Sequence, residues 1–146
     1  MSLFTSLFAP KVTEKPSHKP EIVVLVGAAR YEWEIRGTER CQPILEAICG
    51  PRQSRGVRRF ETARLILEDK YPGERHPQDK NVVRVEIRGR TVGYLSPEDA
   101  VLYRQLLVKR DAPRGTGQCQ ALITGGWFSS DGRKGPYEVN LDLPSP

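Results

Sequence analysis

The sequence predicts a mainly β, α+β fold: a small antiparallel barrel or sandwich with one or two flanking helices. Three observations predict it. About seven short segments of strand character recur with turn residues between them. Two of these, 83–88 and 137–143, alternate apolar and polar residues with the period of two that a half-buried strand requires. One stretch only, 96–110, carries a complete helix-start signal. A chain of 146 residues suffices for one domain with its own core.

Taken in order, residues 1–20 hold Pro10, Pro16 and Pro20 among Lys11, Lys15 and Lys19 and predict a flexible arm. The domain is expected over 21–143, with 144–146 as a tail. Residues 21–27 (EIVVLVG) form a continuous apolar run ended by glycine, the pattern of a buried strand. Residues 31–35 (YEWEI) alternate and predict a second strand. A short helix is expected over 42–49, stopped by Gly50-Pro51. Residues 52–59 (RQSRGVRR) read as a basic loop. A strand follows over 61–68, with Ala63, Leu65 and Leu67 on one face, and then a loop over 69–80. Gly89 marks a tight turn between strands at 83–88 and 91–95. Ser96 caps the next helix, Pro97 fits its first position, and Glu98 and Asp99 meet the positive end of its dipole. Strands at 118–127 and 137–143 complete the domain, the latter placing Tyr137, Val139, Leu141 and Leu143 inward.

Composition narrows the function classes. No run approaches the roughly 18 apolar residues of a membrane span, and the first ten residues lack the basic start of a secretory leader. Cys41, Cys49 and Cys119 are odd in number and form no CxxC, which argues against a disulfide framework or zinc site and for a reducing, cytoplasmic setting. The net charge is +5, and 16 of the 23 basic residues are arginine. Arginine pairs bidentately with phosphate, so this bias suits nucleic-acid binding; a compositional bias of the genome produces the same count.

Nucleophilic catalysis lacks its base, since the histidines are His18 in the arm and His76 in a loop. No P-loop, GxSxG or HExxH occurs. No catalytic residue, metal or cofactor is therefore expected. Asp79 with Glu86-Ile87-Arg88 loosely matches the carboxylates of a magnesium-dependent nuclease, with arginine where that motif wants lysine.

A second constellation is more specific. Val26-Gly27, three residues and Tyr31 come first; then 76–85 (HPQDKNVVRV); then 89–95 (GRTVGYL) and the capped helix. In this order the chain resembles the HIRAN domain, over residues 21–143. The resemblance implies a small OB/SH3-like barrel that binds the free 3′ end of single-stranded DNA, beside a helicase or nuclease. It implies Tyr31 as a base-stacking aromatic and Asp79 as the acid that accepts a hydrogen bond from the terminal hydroxyl. Ala29 falls on the family's arginine position, and Arg30, beside Tyr31, is the cation available to meet a backbone phosphate. Gln78 stands where the family often has tyrosine, and the 36–56 connection is longer than usual. Arg52, Arg55, Arg58 and Arg59 would add nonspecific phosphate attraction if their loop lies along a groove.

Plainer readings exist for the same residues. Asp79 and Asn81 suit a capped turn. Tyr31, Trp33 and Tyr94 suit a barrel core or cross-strand pairs. Gly125-Gly126 suits a bend. Trp127 and Phe128 suit either a barrel end or an exposed contact patch. That patch supports an alternative function: protein interaction or self-association as a homodimer.

Overall fold

The computed structural model describes residues 21–68 and 82–145. The described chain is mostly β, a curled antiparallel sheet with two α-helices, as the sequence predicts. In chain order the elements are β1 (Ile22–Val24), β2 (Trp33–Glu34), a 3-10 turn (Thr38–Arg40), α1 (Gln42–Cys49), β3 (Val57–Leu67), β4 (Val83–Ile87), β5 (Arg90–Tyr94), α2 (Pro97–Lys109), β6 (Thr116–Gly125) and β7 (Tyr137–Asp142). The sheet order is β2-β7-β6-β3-β4-β5, and β1 joins β6 in parallel.

The two edges of this sheet meet. Arg36, just past β2, exchanges both backbone bonds with Tyr94 of β5, at 2.8 and 2.9 Å. The curl is thereby tied into a barrel-like shape. Gly93 permits the contact, because a Cβ there would collide with the Ile35 side chain and the Arg36 carbonyl.

Local chemistry explains most elements. In β7, Tyr137, Val139 and Leu141 are fully buried, with Leu143 continuing the inward row. In β4 the buried residues are Val83, Val85 and Ile87. The turn Arg88–Gly89 has positive φ at both positions, the two-residue hairpin geometry that matches strand twist. The Ser96 hydroxyl accepts the Asp99 N–H at 3.1 Å, closing the cap of α2. Tyr103 then anchors α2 to the sheet. Its hydroxyl donates to the Leu65 carbonyl at 3.1 Å and accepts the Gly117 N–H at 2.7 Å, inside the core.

Three expected elements are corrected. Residues 21–27 do not form a buried strand: β1 covers only Ile22–Val24, with Val23 and Leu25 buried and Ile22, Val24 and Val26 exposed, because one face of the run has no layer over it. The strand expected at 31–35 is reduced to Trp33–Glu34, and Tyr31 lies outside it with positive φ. The basic loop at 52–59 ends at Gly56, and β3 begins at Val57, so Arg58 and Arg59 are strand residues. Nine consecutive register pairs with β6, from Val57↔Gly125 to Leu65↔Gly117, override the loop-like composition. Strand pairing across the sheet decides this where local propensity does not. The expected loop at 69–80, including His76, Gln78 and Asp79, lies outside the described residues. The same holds for Asn81 and for the arm at 1–20. Among the described residues no helix is long and apolar enough to cross a membrane.

Candidate nucleic-acid interface

Even-numbered residues of β3, of β6 from Gln118 onward, and of β7 face outward, away from the core. The register arranges them in rows across the strands. One row is Asn140, Leu122, Phe60; the next is Asp142, Gln120, Thr62; the third is Gln118, Arg64, Glu86. Arg58 lies opposite Thr124 at the other end of this face. Phe60 is half exposed on a surface that is otherwise mostly polar.

The segment between β1 and β2 crosses this face. It leaves β1 beside β6, passes over the end of β7, and returns along the far edge of β7. Asp142 holds the crossing: its Oδ1 accepts the Arg30 N–H at 3.2 Å. Gly27 packs directly on the same carboxylate, where a Cβ would come within 2.5 Å of Oδ1. Asp142 is buried for this reason, though its position in the strand points outward. The segment carries two non-glycine residues in the left-handed region, Ala29 (φ 63°) and Tyr31 (φ 53°). That conformation sets the Tyr31 ring against Phe60, with centroids 5.6 Å apart and planes tilted by 57°. The Arg58 guanidinium sits over the Phe60 ring, 5.3 Å from its centroid.

Two clefts adjoin along the face and share Thr62 and Gln118. The first, about 160 Å³, runs between Val24 and Val26 on one side and Thr62 on the other, with Asp142 among its lining residues. The second, about 350 Å³, is lined by Arg64, Glu86 and Arg88 among others. A further hollow of about 200 Å³ involves Arg30, Tyr31 and Trp33.

The sequence-predicted site residues separate into groups. Tyr31 and Arg58 meet through Phe60, and Arg30 lies beside them, exposed. Arg55 is exposed in the turn before β3. Arg52 is committed to the fold: it donates to the Gly135 carbonyl, lies 4.9 Å from the Tyr137 ring centroid, and pairs with Glu46 at 3.8 Å. Arg59 points to the other side of β3 from Arg58. There it donates to Glu61 at 2.7 Å, and Arg88 donates to the same carboxylate at 3.0 and 3.2 Å. Asp79 lies outside the described residues. Glu86, its partner in the nuclease reading, bonds to Arg84 at 3.2 Å. Among the described residues no group of three His, Cys, Asp or Glu side chains is placed to hold a metal.

Glu61 gives a pH test of this side of the sheet. Burial alone would raise its carboxyl pKa, but the bonds and charges of Arg59 and Arg88 outweigh burial and hold it below the ordinary range. The folded state then binds fewer protons than the unfolded one. Its stabilisation is complete above the ordinary Glu value and drains away as pH falls through the lowered folded value. The gap between the stability curves of wild type and Glu61→Gln should therefore narrow as pH falls below the ordinary Glu value of about 4.3. Parallel curves through that range would show that the pair contributes nothing. The thiols are not activated: burial raises all three, Cys119 to about 12, so each is protonated at neutral pH.

Phe60, Asp142, Arg64 and the two glutamines are the residues that sequence reading missed. Phe60 had a usable signal, an aromatic on the polar parity of Arg58-x-Phe60-x-Thr62-x-Arg64. Asp142 had none, because its burial comes from a segment 112 positions away. No family model, curated protein or solved structure matches the chain.

Proposed function

We propose that this chain is a non-enzymatic module of the HIRAN type that binds single-stranded DNA by its 3′ end, in the service of a helicase or nuclease. The observation that carries the reading is the Tyr31–Phe60 pair, presented on the outward sheet face beside Arg58. Bases stack on such rings whatever their sequence, and cations beside them take the backbone. Thr62, Gln118 and Gln120 line the adjoining cleft with neutral donors and acceptors. Asp142 is among the residues that line the same cleft; one of its carboxylate oxygens is taken by the Arg30 N–H, and its negative charge disfavours a phosphate there, which favours an unphosphorylated end.

Titration of a labelled oligothymidylate tests it. With Arg30, Arg58 and Arg64 each meeting one phosphate, the slope of log K against log salt is expected at about −2. A 3′-phosphate should weaken binding and a 5′-phosphate should not. Absence of binding at low salt would sink the reading, and equal affinity for both 3′ termini would remove the end preference.

The self-association reading rests on Trp127 and Phe128, 37% and 42% exposed. Light scattering decides it: a homodimer that Trp127→Ala converts to a monomer would favour it.

A further inference from the structure

Phe60 is the centre of the aromatic platform, yet its ring is not free. The Arg58 guanidinium lies 5.3 Å from the ring centroid, and Tyr31 stands at 57° to it. A base that stacks on the face of Phe60 that Arg58 covers must take the place of Arg58. Arg58 itself is exposed, and no ion pair involving it occurs among the described residues. Its row across the sheet holds neutral Thr124 before Glu138, two strands away. The ring is thus what holds the guanidinium in place.

We infer that Arg58 is an exchangeable cap: it covers Phe60 in the free protein, yields the ring to a base, and takes the phosphate of the nucleotide it has admitted. This rests on the proposed nucleic-acid reading. The balance of interactions favours the exchange. An exposed cation–π contact is worth roughly two- to fivefold in an equilibrium constant, whereas stacking a base on an aromatic ring is worth roughly five- to a hundredfold. The displaced guanidinium keeps its charge and its planar fork, which suit phosphate oxygens. One residue then has opposite effects in the two states. It competes with the base for the ring, and it attracts the backbone once the base is seated.

This dual role gives a salt signature that a plain phosphate contact lacks. Arg58→Ala should flatten the salt slope for an oligothymidylate by about 0.7, one single-strand phosphate contact. It should bind more weakly than wild type at low salt. At high salt, where the phosphate contact is screened, the curves should cross, leaving the variant roughly two- to fivefold tighter because the competitor has gone. In the ligand-free protein, NMR should find the Arg58 δ-methylene protons shifted upfield by the Phe60 ring. Phe60→Leu should abolish that shift, and saturating oligothymidylate should remove it in wild type. Wild-type binding with an unchanged slope in Arg58→Ala, or with curves that never cross, would overturn the exchange while leaving the nucleic-acid reading intact. An upfield shift that persists at saturation would overturn it as well. No binding by wild type at low salt would overturn both.

Discussion

Phe60→Ala is expected to weaken the binding of a short oligothymidylate by about 1–3 kcal/mol, roughly five- to a hundredfold in Kd. The ring is half exposed, and its described ring contacts are Tyr31 and Arg58. Its removal leaves the core untouched, so the thermal midpoint should move little. Phe60→Leu makes the test sharper, since leucine keeps apolar bulk and loses the aromatic face. It should bind nearly as weakly as the alanine variant. Fluorescence anisotropy at fixed salt measures both. A leucine variant with wild-type affinity would show that apolar area, not stacking, is what the ligand uses.

The second large effect concerns stability. Tyr103→Phe is expected to lower the unfolding free energy by about 2–3 kcal/mol, measured by urea denaturation with an unchanged m-value. The hydroxyl is buried and serves two backbone groups at once, the Leu65 carbonyl and the Gly117 N–H. Both lose that partner in the variant. Phenylalanine fills the same space otherwise, so no cavity contributes. Gly117 is part of the same arrangement, because a Cβ there would lie 2.6 Å from the Tyr103 hydroxyl. A loss below about 0.5 kcal/mol would show that these bonds do not support the fold.

The fold was legible where one residue type and one period sufficed. The alternation of 137–143 fixes the inward face of β7, and the Ser96-Pro97-Glu98-Asp99 run fixes the start of α2. The short helix at 42–49 appears with the predicted bounds, stopped at Gly50 with φ 85°. Legibility fails where partners are distant. Arg58 and Arg59 look alike in the sequence, yet strand parity sends one to Phe60 and the other to Glu61. Arg52 resembles both, but it is turned to the Gly135 carbonyl by a connection 83 positions away. Tyr31 was singled out from a motif, but nothing local announces its positive φ or its meeting with Phe60. Those depend on Asp142, near the other end of the chain.

The parallel pairing of β1 with β6 has a consequence for synthesis. Ile22, Val23 and Val24 pair with Thr116, Gly117 and Gln118, so β1 emerges from the ribosome about 90 residues before its partner exists. At about 5–20 residues per second, that interval is roughly 5–20 s. Hairpins such as β4–β5 close in microseconds once made. Through that interval Val23 and Leu25, both buried in the finished protein, lack β6, the strand with which β1 pairs. The crossing segment and Tyr31 are likewise without Asp142 and Phe60 in their final setting. The nascent chain therefore passes through a stage that exposes apolar β1 and lacks its aromatic platform, and only translation of β6 and β7 ends it.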